Sequence, residues 1–156
     1  MKKIKILFLC SDNYTRSITA EFCMKDFLKR RNIDYIEVSS AGTNANSDTS
    51  KLHRTHFDRM KELGINASAF TRTQCDENLL KNADLIIGMA QEHQDFVSEK
   101  YRFHIPLYNE LVCNKKTSIV VSNLDSDEDI PQQITNMTNH IYASTPILLE
   151  YIIKHL

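Results

Sequence analysis

The stretch Ile4-Lys5-Ile6-Leu7-Phe8-Leu9-Cys10-Ser11-Asp12-Asn13-Tyr14-Thr15-Arg16-Ser17 decides the fold that we expect of this 156-residue chain. Its first part, Ile4–Leu9, is an apolar run that predicts a buried parallel strand. The segment that follows, Ile18–Arg31, has apolar residues at helical spacing and predicts a helix. The loop between them therefore lies at the carboxyl end of a strand, where open α/β sheets place their ligand sites.

This loop combines a thiol with a guanidinium, because Cys10 is followed, after five intervening residues, by Arg16. The first N–H groups of a helix have no partners within it, and the helix dipole favours an anion there. These groups and Arg16 are expected to hold Cys10 as a thiolate. Arg16 can also bind two phosphate oxygens at once. The pattern predicts a cysteine nucleophile that faces a phosphate-binding site.

Two further loop residues fit this interpretation. Ser17 places a hydroxyl within reach of the Cys10 sulfur, where it could steady the sulfur as a leaving group, and it could also cap the helix. Asn13 suits a backbone that must enter the left-handed region so that successive amides point at one anion.

The composition predicts one globular domain over residues 1–156, with 42% hydrophobic and 25% charged residues. The net charge of -1 favours neither nucleic acid nor a membrane surface as a partner, and no apolar run has membrane-spanning length. No signal peptide is recognisable. The four cysteines are scattered and predict neither a metal site nor a disulfide framework, so we expect a reducing, cytoplasmic location. They are Cys10, Cys23, Cys75 and Cys113.

The rest of the chain alternates between strand and helix patterns. This alternation predicts an α/β fold with a parallel sheet and helices on both faces. The final helix contains Pro146, which predicts a kink or a break. The other predicted elements are a strand at Tyr35–Ser39, helices at Ser50–Leu63 and Glu92–Lys100, a strand at Ala83–Met89, a last strand or adjacent loop at Ile119–Val121, and the final helix from Ile134 to Leu156.

Several blocks in the same order carry a family resemblance: Ile6–Cys10 with Asn13, Arg16-Ser17 and Ala20-Glu21; Ser39–Thr43; and Ala83–Met89 with His93 after it. These blocks resemble the low-molecular-weight protein tyrosine phosphatases, which implies a single three-layer α/β domain with a twisted, four-stranded parallel sheet in flavodoxin-like order. The resemblance implies a phosphatase without a cofactor that acts on phosphotyrosine proteins through a cysteinyl phosphate. Cys10 and Arg16 would be catalytic. The phosphate-binding loop and its support would comprise Ser11, Asp12, Asn13, Tyr14, Thr15, Ser17 and Ser40.

The resemblance also implies an acid that protonates the leaving group, which in this family is an Asp followed by Pro before the last helix. The corresponding region here, residues 123–131, contains several carboxylates. Counting back from the final helix without gaps places Asp125 at the acid position, and Asp127 and Asp129 are the alternatives. The same acidic run would also suit a solvated loop or the cap of the last helix.

The chain departs from the family pattern at several positions. Asp12 replaces a usual Gly, and its charge would oppose a dianion unless it points outward. Thr15 replaces a second cysteine of the loop. The family's Asp-Pro-aromatic block is absent, and Tyr14 could replace part of the aromatic wall that it forms around the substrate. The family's loop-supporting His is also absent, and Ser40 remains to support Asn13.

These observations leave two classes of function open. The first is a cysteine-dependent protein tyrosine phosphatase that uses Cys10, Arg16, Ser17 and Asp125. The second is a phosphoanion-binding regulatory protein of the same fold with weak or no turnover. Arsenate reduction is a variant of the first, but it needs a relay of further cysteines, and Cys75 and Cys113 do not have the spacing of such a pair.

Overall fold

The computed structural model describes residues 2–47, 53–121 and 129–156. Residues 50–52 of the second predicted helix and residues 123–128 of the acidic region lie outside these ranges. The elements in chain order are β1 (Ile4–Cys10), α1 (Arg16–Arg30), β2 (Ile36–Gly42), α2 (Thr55–Glu62), α3 (Glu77–Asn82), β3 (Leu85–Gly88), α4 (Gln91–Tyr101), α5 (Tyr108–Cys113) and α6 (Ile130–His155).

A parallel sheet with β1 at its centre organises the molecule, in the order β2-β1-β3. β1 pairs with β2 along its whole length, from Ile4 opposite Ile36 to Cys10 opposite Gly42. Its other edge pairs with β3, beginning with Ile6 opposite Leu85. Cys10 therefore lies at the carboxyl edge of the sheet, as predicted. β2 extends beyond the predicted end at Ser39, because Ala41 and Gly42 remain paired with β1.

The prediction of four strands is wrong for the part of the chain that the structure describes, which contains three. The place next to β3 holds a single bridge between Gly88 and Leu107. This bridge does not extend because Pro106 has no N–H to donate and Tyr108 already begins α5. Ile119 donates its N–H to the carbonyl oxygen of Met89 at 2.9 Å, so its segment is a loop beside the sheet.

The two faces of the sheet bury different hydrophobic clusters, because successive side chains of β1 point to opposite sides. Ile6, Phe8 and Cys10 pack into the larger cluster together with residues from α1, α2, α5 and α6. Leu7 and Leu9 pack into a smaller cluster that includes residues from α3 and α4. The fold is therefore a three-layer α/β arrangement, with helices on both faces of the sheet.

The helices differ from prediction in three respects. α3 and α5 were not predicted, and the described part of the second helix is α2, Thr55–Glu62. α6 begins at Ile130 and continues through Pro146, so a break there is wrong. The hydroxyls of Ser144 and Thr145 donate to the carbonyl oxygens of His140 and Ile141 in the turn before the proline. Within the described ranges, no helix combines the length and the apolar character that a membrane span requires.

Candidate active site

The loop between β1 and α1 carries most of the predicted site residues. Cys10 ends β1 and is fully buried, and α1 begins at Arg16. Asn13 has φ 52°, so the prediction of a left-handed residue in this loop is confirmed. Thr15 precedes the helix, and its carbonyl oxygen accepts hydrogen bonds from the backbone and the hydroxyl of Thr19. The loop backbone is thus held at both ends by regular structure.

The Cys10 sulfur has two polar neighbours within the loop. Its Sγ lies 2.9 Å from the Oγ of Ser17, which is fully buried. On another side, Sγ donates to Oδ1 of Asp12 at 3.7 Å. The first contact matches the expected position of Ser17 beside the sulfur. The second shows that the Asp12 side chain does not point outward, the alternative that the sequence left open.

Asn13 ties the loop to the neighbouring strand through a buried hydrogen-bond network. Its Nδ2 donates to Oγ of Ser17 at 2.9 Å and to Oγ of Ser40, on β2, at 2.8 Å. Its Oδ1 accepts the backbone N–H of Thr73 at 2.7 Å. The Ser40 hydroxyl in turn donates to the carboxylate of Glu21 on α1. The predicted support of Asn13 by Ser40 is therefore present.

The loop packs so closely on β2 that glycine is required at position 42. A Cβ there would lie 2.6 Å from the carbonyl oxygen of Ser11 and 2.7 Å from the backbone nitrogen of Asn13. Real Cβ atoms do not approach backbone atoms so closely, and both atoms belong to the loop. Gly42 thus sets the distance between the loop and β2.

Arg16 lies at the mouth of the loop and contacts three separate parts of the chain. Its Nη1 donates to the carbonyl oxygen of Ile119 at 2.9 Å and to Oε1 of Glu92 at 3.5 Å. Its Nη2 donates to Oγ of Ser11 at 3.5 Å. The side chain is only 15% exposed. The guanidinium is therefore held in place by the loop, by α4 and by the segment that precedes residue 122.

His93 belongs to this site, although the sequence analysis did not include it among the site residues. Its Nδ1 accepts the backbone N–H of Ala90, so Nε2 carries the proton and donates to Oγ of Ser11 at 3.0 Å. Burial, with a smaller contribution from the Arg16 charge, lowers the pKa of His93 to about 3. One signal could have identified it: α4 starts at the carboxyl end of β3, the same edge of the sheet as Cys10.

Tyr14 does not form a wall of the site, which corrects the sequence interpretation. Its side chain is 5% exposed and its ring makes edge contacts with His56, Phe57 and Phe70. His56 donates from Nε2 to the carbonyl oxygen of Tyr14 at 2.8 Å. Burial is the main cause that lowers the pKa of His56 to about 4, so this histidine is neutral at physiological pH. Tyr14 therefore anchors the loop to α2.

Arg72 supports the loop from a distant part of the chain. It donates from Nε and Nη2 to the carbonyl oxygen of Asp12, at 3.0 and 2.9 Å. These two hydrogen bonds give Arg72 a structural role in the loop.

The predicted acid, Asp125, and the alternative Asp127 lie outside the described residues. Asp129, the other alternative, is the N-cap of α6, where its Oδ1 accepts the N–H of Gln132 at 2.7 Å. At least this part of the acidic run thus serves as the cap of the last helix, which was one of the interpretations of the sequence.

The other cysteines do not join Cys10. Cys23 is in the core, and burial is the main cause that raises its pKa to about 12. Cys75 lies in the cluster on the opposite face of the sheet from Cys10, and burial chiefly raises its pKa to about 11. Cys113 is exposed. Across residues 2–47, 53–121 and 129–156, no group of three or more His, Cys, Asp or Glu side chains could hold a metal ion.

Comparison with known sequences matches residues 5–143 to the family described as low molecular weight phosphotyrosine protein phosphatase. The chain is also similar to arsenate reductases. It is 33% identical to that of Staphylococcus aureus strain Newman over 92 residues, 59% of this chain and 64% of the relative's length. It is 34% identical to that of Halalkalibacterium halodurans over 108 residues, 67% of this chain and 72% of the relative.

Solved structures share the fold across nearly the whole chain. A YwlE mutant from Bacillus subtilis has a TM-score of 0.80 at 21% identity and covers 97% of this chain and 99% of its own. A YwlE arginine phosphatase mutant with a phosphorylated active-site serine has the same TM-score and identity and covers 97% of each chain. The low molecular weight protein tyrosine phosphatase of T. tengcongensis has a TM-score of 0.78 at 23% identity, covering 95% and 99%.

Proposed function

This chain belongs to the low molecular weight phosphotyrosine protein phosphatase family, and from that premise we propose that it hydrolyses phosphotyrosine in proteins through a cysteinyl phosphate. The members of this family are cysteine phosphatases, which are hydrolases. The observation that carries the proposal is the 2.9 Å contact between Sγ of Cys10 and Oγ of Ser17 in a loop that Asn13 holds in a left-handed conformation.

In the proposed first step, the Cys10 thiolate attacks phosphorus and the bond to the phenolic oxygen of the substrate breaks. Arg16 and the loop amides bind the three equatorial oxygens, whose charge they neutralise. A carboxylic acid gives its proton to the phenolate. In the second step water attacks the cysteinyl phosphate and gives a proton to the same carboxylate. Cys10 leaves as a thiolate, to which the Ser17 hydroxyl donates.

Asp125 remains the proposed acid. In the sequence it lies between Ile119, which accepts a hydrogen bond from Arg16, and Asp129, which caps α6. Asp129 is engaged at the cap and is the weaker candidate.

One observation favours the alternative of a phosphoanion-binding protein with little turnover. The Asp12 carboxylate lies beside the Cys10 sulfur, where it would oppose a bound dianion. Arsenate reduction, the activity named for the relatives, is disfavoured because Cys75 is buried on the opposite face of the sheet and neither it nor Cys113 lies beside Cys10.

The first test is hydrolysis of p-nitrophenyl phosphate by the wild type, Cys10→Ser and Cys113→Ser, the last being a matched loss of an exposed thiol. We expect Cys10→Ser to lower kcat by at least about a thousandfold and Cys113→Ser to leave it unchanged. A wild type as inactive as Cys10→Ser would refute turnover and favour the binding protein.

The second test compares kcat/KM for phosphotyrosine and phosphoarginine peptides, with arsenate-dependent thiol oxidation as a third assay. We expect the phosphotyrosine peptide to be the best substrate. Preference for phosphoarginine, on which the named YwlE phosphatase acts, would keep the cysteine phosphatase and change its substrate. Arsenate-dependent oxidation of thiols would support a reductase instead.

The third test concerns the acid. Asp125→Asn should lower kcat on the phosphotyrosine peptide by about a hundredfold and have a smaller effect on p-nitrophenyl phosphate, whose leaving group needs less protonation. Asp129→Asn is the matched control, since an Asn side chain can also cap α6. Equal effects of both variants on the peptide would remove Asp125 from the mechanism.

A further inference from the structure

The carboxylate of Asp12 turns into the loop that carries Cys10. Its Oδ1 accepts the backbone N–H of Tyr14 at 3.1 Å and lies 3.7 Å from the Sγ of Cys10, which donates to it. The sequence left open whether this side chain points outward, away from a bound anion. The structure shows that it points inward.

This position coincides with the one that a ligand needs. The Tyr14 N–H belongs to the loop whose amides would bind phosphoryl oxygens, and Sγ of Cys10 is the atom that would attack phosphorus. A carboxylate is itself an oxyanion and satisfies the same donors as a phosphoryl oxygen. Asp12 thus provides the loop with an anion of its own.

The charge of this carboxylate is not neutralised by the arginine at the site. Arg16 directs its hydrogen bonds to Ser11, Ile119 and Glu92, so it makes no ion pair with Asp12 within the described ranges. Arg72 also lies beside Asp12, but it donates to the Asp12 carbonyl oxygen and to Ser47 and not to the carboxylate. A second anion that entered the loop would therefore meet the negative charge beside Cys10.

The Asp12 side chain can leave this position while its backbone stays in place. Arg72 holds the Asp12 carbonyl with two hydrogen bonds, and this contact does not involve the carboxylate. The residue is partly exposed. A rotation of the side chain would free the Tyr14 amide without a movement of the loop backbone.

We propose that Asp12 is an intramolecular competitor for the anion site of the loop and selects ligands by charge, disfavouring dianions more than monoanions. The repulsion between two charges is proportional to each of them, so a doubly charged ligand is affected about twice as strongly, in free energy, as a singly charged one. The inference rests on the proposed function only in taking this loop as the site of the phosphoryl group.

The test measures the binding of two tetrahedral anions by isothermal titration: tungstate, a dianion, and perrhenate, a monoanion. Asp12→Asn removes the charge but keeps an oxygen that can accept from the Tyr14 N–H. Asp34→Asn is the matched control, because Asp34 is exposed and precedes β2 at the opposite edge of the sheet. Asp12→Ser provides a second neutral variant, and thermal unfolding of each variant verifies that it is folded.

We expect Asp12→Asn to tighten tungstate binding by about tenfold and perrhenate binding by about threefold. Asp12→Ser should act in the same direction, and Asp34→Asn should change neither affinity by more than about twofold, because a distant exposed charge is screened. Unchanged or weaker tungstate binding by the neutral Asp12 variants, equal gains for both anions, or no binding by any variant would overturn the inference.

Turnover of p-nitrophenyl phosphate separates this inference from the proposed function. If no variant turns over the substrate but Asp12→Asn still gains selectively for tungstate, the phosphatase proposal fails and the inference about Asp12 stands. If the wild type is an active phosphatase and the selective gain is absent, only the inference about Asp12 fails.

Discussion

Replacement of Asn13 by alanine should destabilise the protein by about 4 kcal/mol. The buried side chain makes hydrogen bonds to Ser17, Ser40 and the N–H of Thr73, at 2.9, 2.8 and 2.7 Å. Each is worth about 1 kcal/mol net. Alanine at φ 52° adds a further penalty of about 1 kcal/mol, which asparagine largely avoids. The free energy of unfolding, measured with urea by circular dichroism, reports the sum.

Two other variants divide this loss into its parts. Asn32 also has a positive φ, of 56°, but is exposed, so Asn32→Ala should cost only the backbone penalty of about 1 kcal/mol. Asn13→Gly removes the same hydrogen bonds without the conformational penalty and should recover up to about 1 kcal/mol of the loss. The difference between the two alanine variants then measures the hydrogen-bond network.

Two results would refute this reasoning. A loss below about 1.5 kcal/mol for Asn13→Ala would show that the network adds little beyond the backbone term. Equal losses for the Asn13 and Asn32 alanine variants would lead to the same conclusion. The tungstate affinity of Asn13→Ala provides an independent measure, because a loop without this network should bind the anion more weakly.

Three further predictions concern packing, protonation and thiol accessibility. In Gly42→Ala the new methyl group would lie 2.6 Å from the loop backbone, so the affinity for tungstate should fall by about tenfold. Gly64→Ala is the control, because Gly64 has φ 84° and open space around the new methyl group. It should lower the free energy of unfolding in urea by about 1 kcal/mol and leave the tungstate affinity unchanged. The pKa of His56 is lowered from 6.5 to about 4 by burial, so stability should decrease as the pH falls between these values, since the unfolded state takes up a proton that the folded state excludes. His56→Gln should therefore reduce the slope of the unfolding free energy against pH by up to about 1.4 kcal/mol per unit, and an unchanged slope would contradict the assignment. Iodoacetamide should modify the exposed Cys113 and leave Cys23 unmodified, because burial raises the Cys23 pKa to about 12. If mass spectrometry detects modified Cys23 in the native protein, the core between α1 and α6 opens.

Most of the central architecture could be predicted from short segments of sequence. The apolar run of β1, the periodic apolar residues of α1 and the polar loop between them are contiguous, so local preferences and hydrophobic patterning suffice to place them. The left-handed Asn13 followed from the same kind of argument, because few residues tolerate that conformation. The outer edge of the sheet could not be predicted in this way, because it depends on how the segment with Pro106 and Leu107 packs beside β3.

The candidate site shows the same division. The contact of Ser17 with Cys10 joins residues only seven positions apart, at the end of β1 and the start of α1, whereas the support from Ser40 required the register between β1 and β2. His93 escaped prediction because it contacts a loop residue 82 positions away, through two elements that only the folded sheet brings together.

The sequence by itself determined that a cysteine and an arginine stand at the end of a buried strand and the start of a helix, because these positions follow from the order of residues along one short stretch. Only the tertiary structure decided that the Asp12 carboxylate faces the Cys10 sulfur and that Tyr14 is buried against α2. The physical reason is that the direction of a side chain depends on its rotamer and on the atoms packed around it. Those atoms come from parts of the chain that local sequence patterns do not bring together.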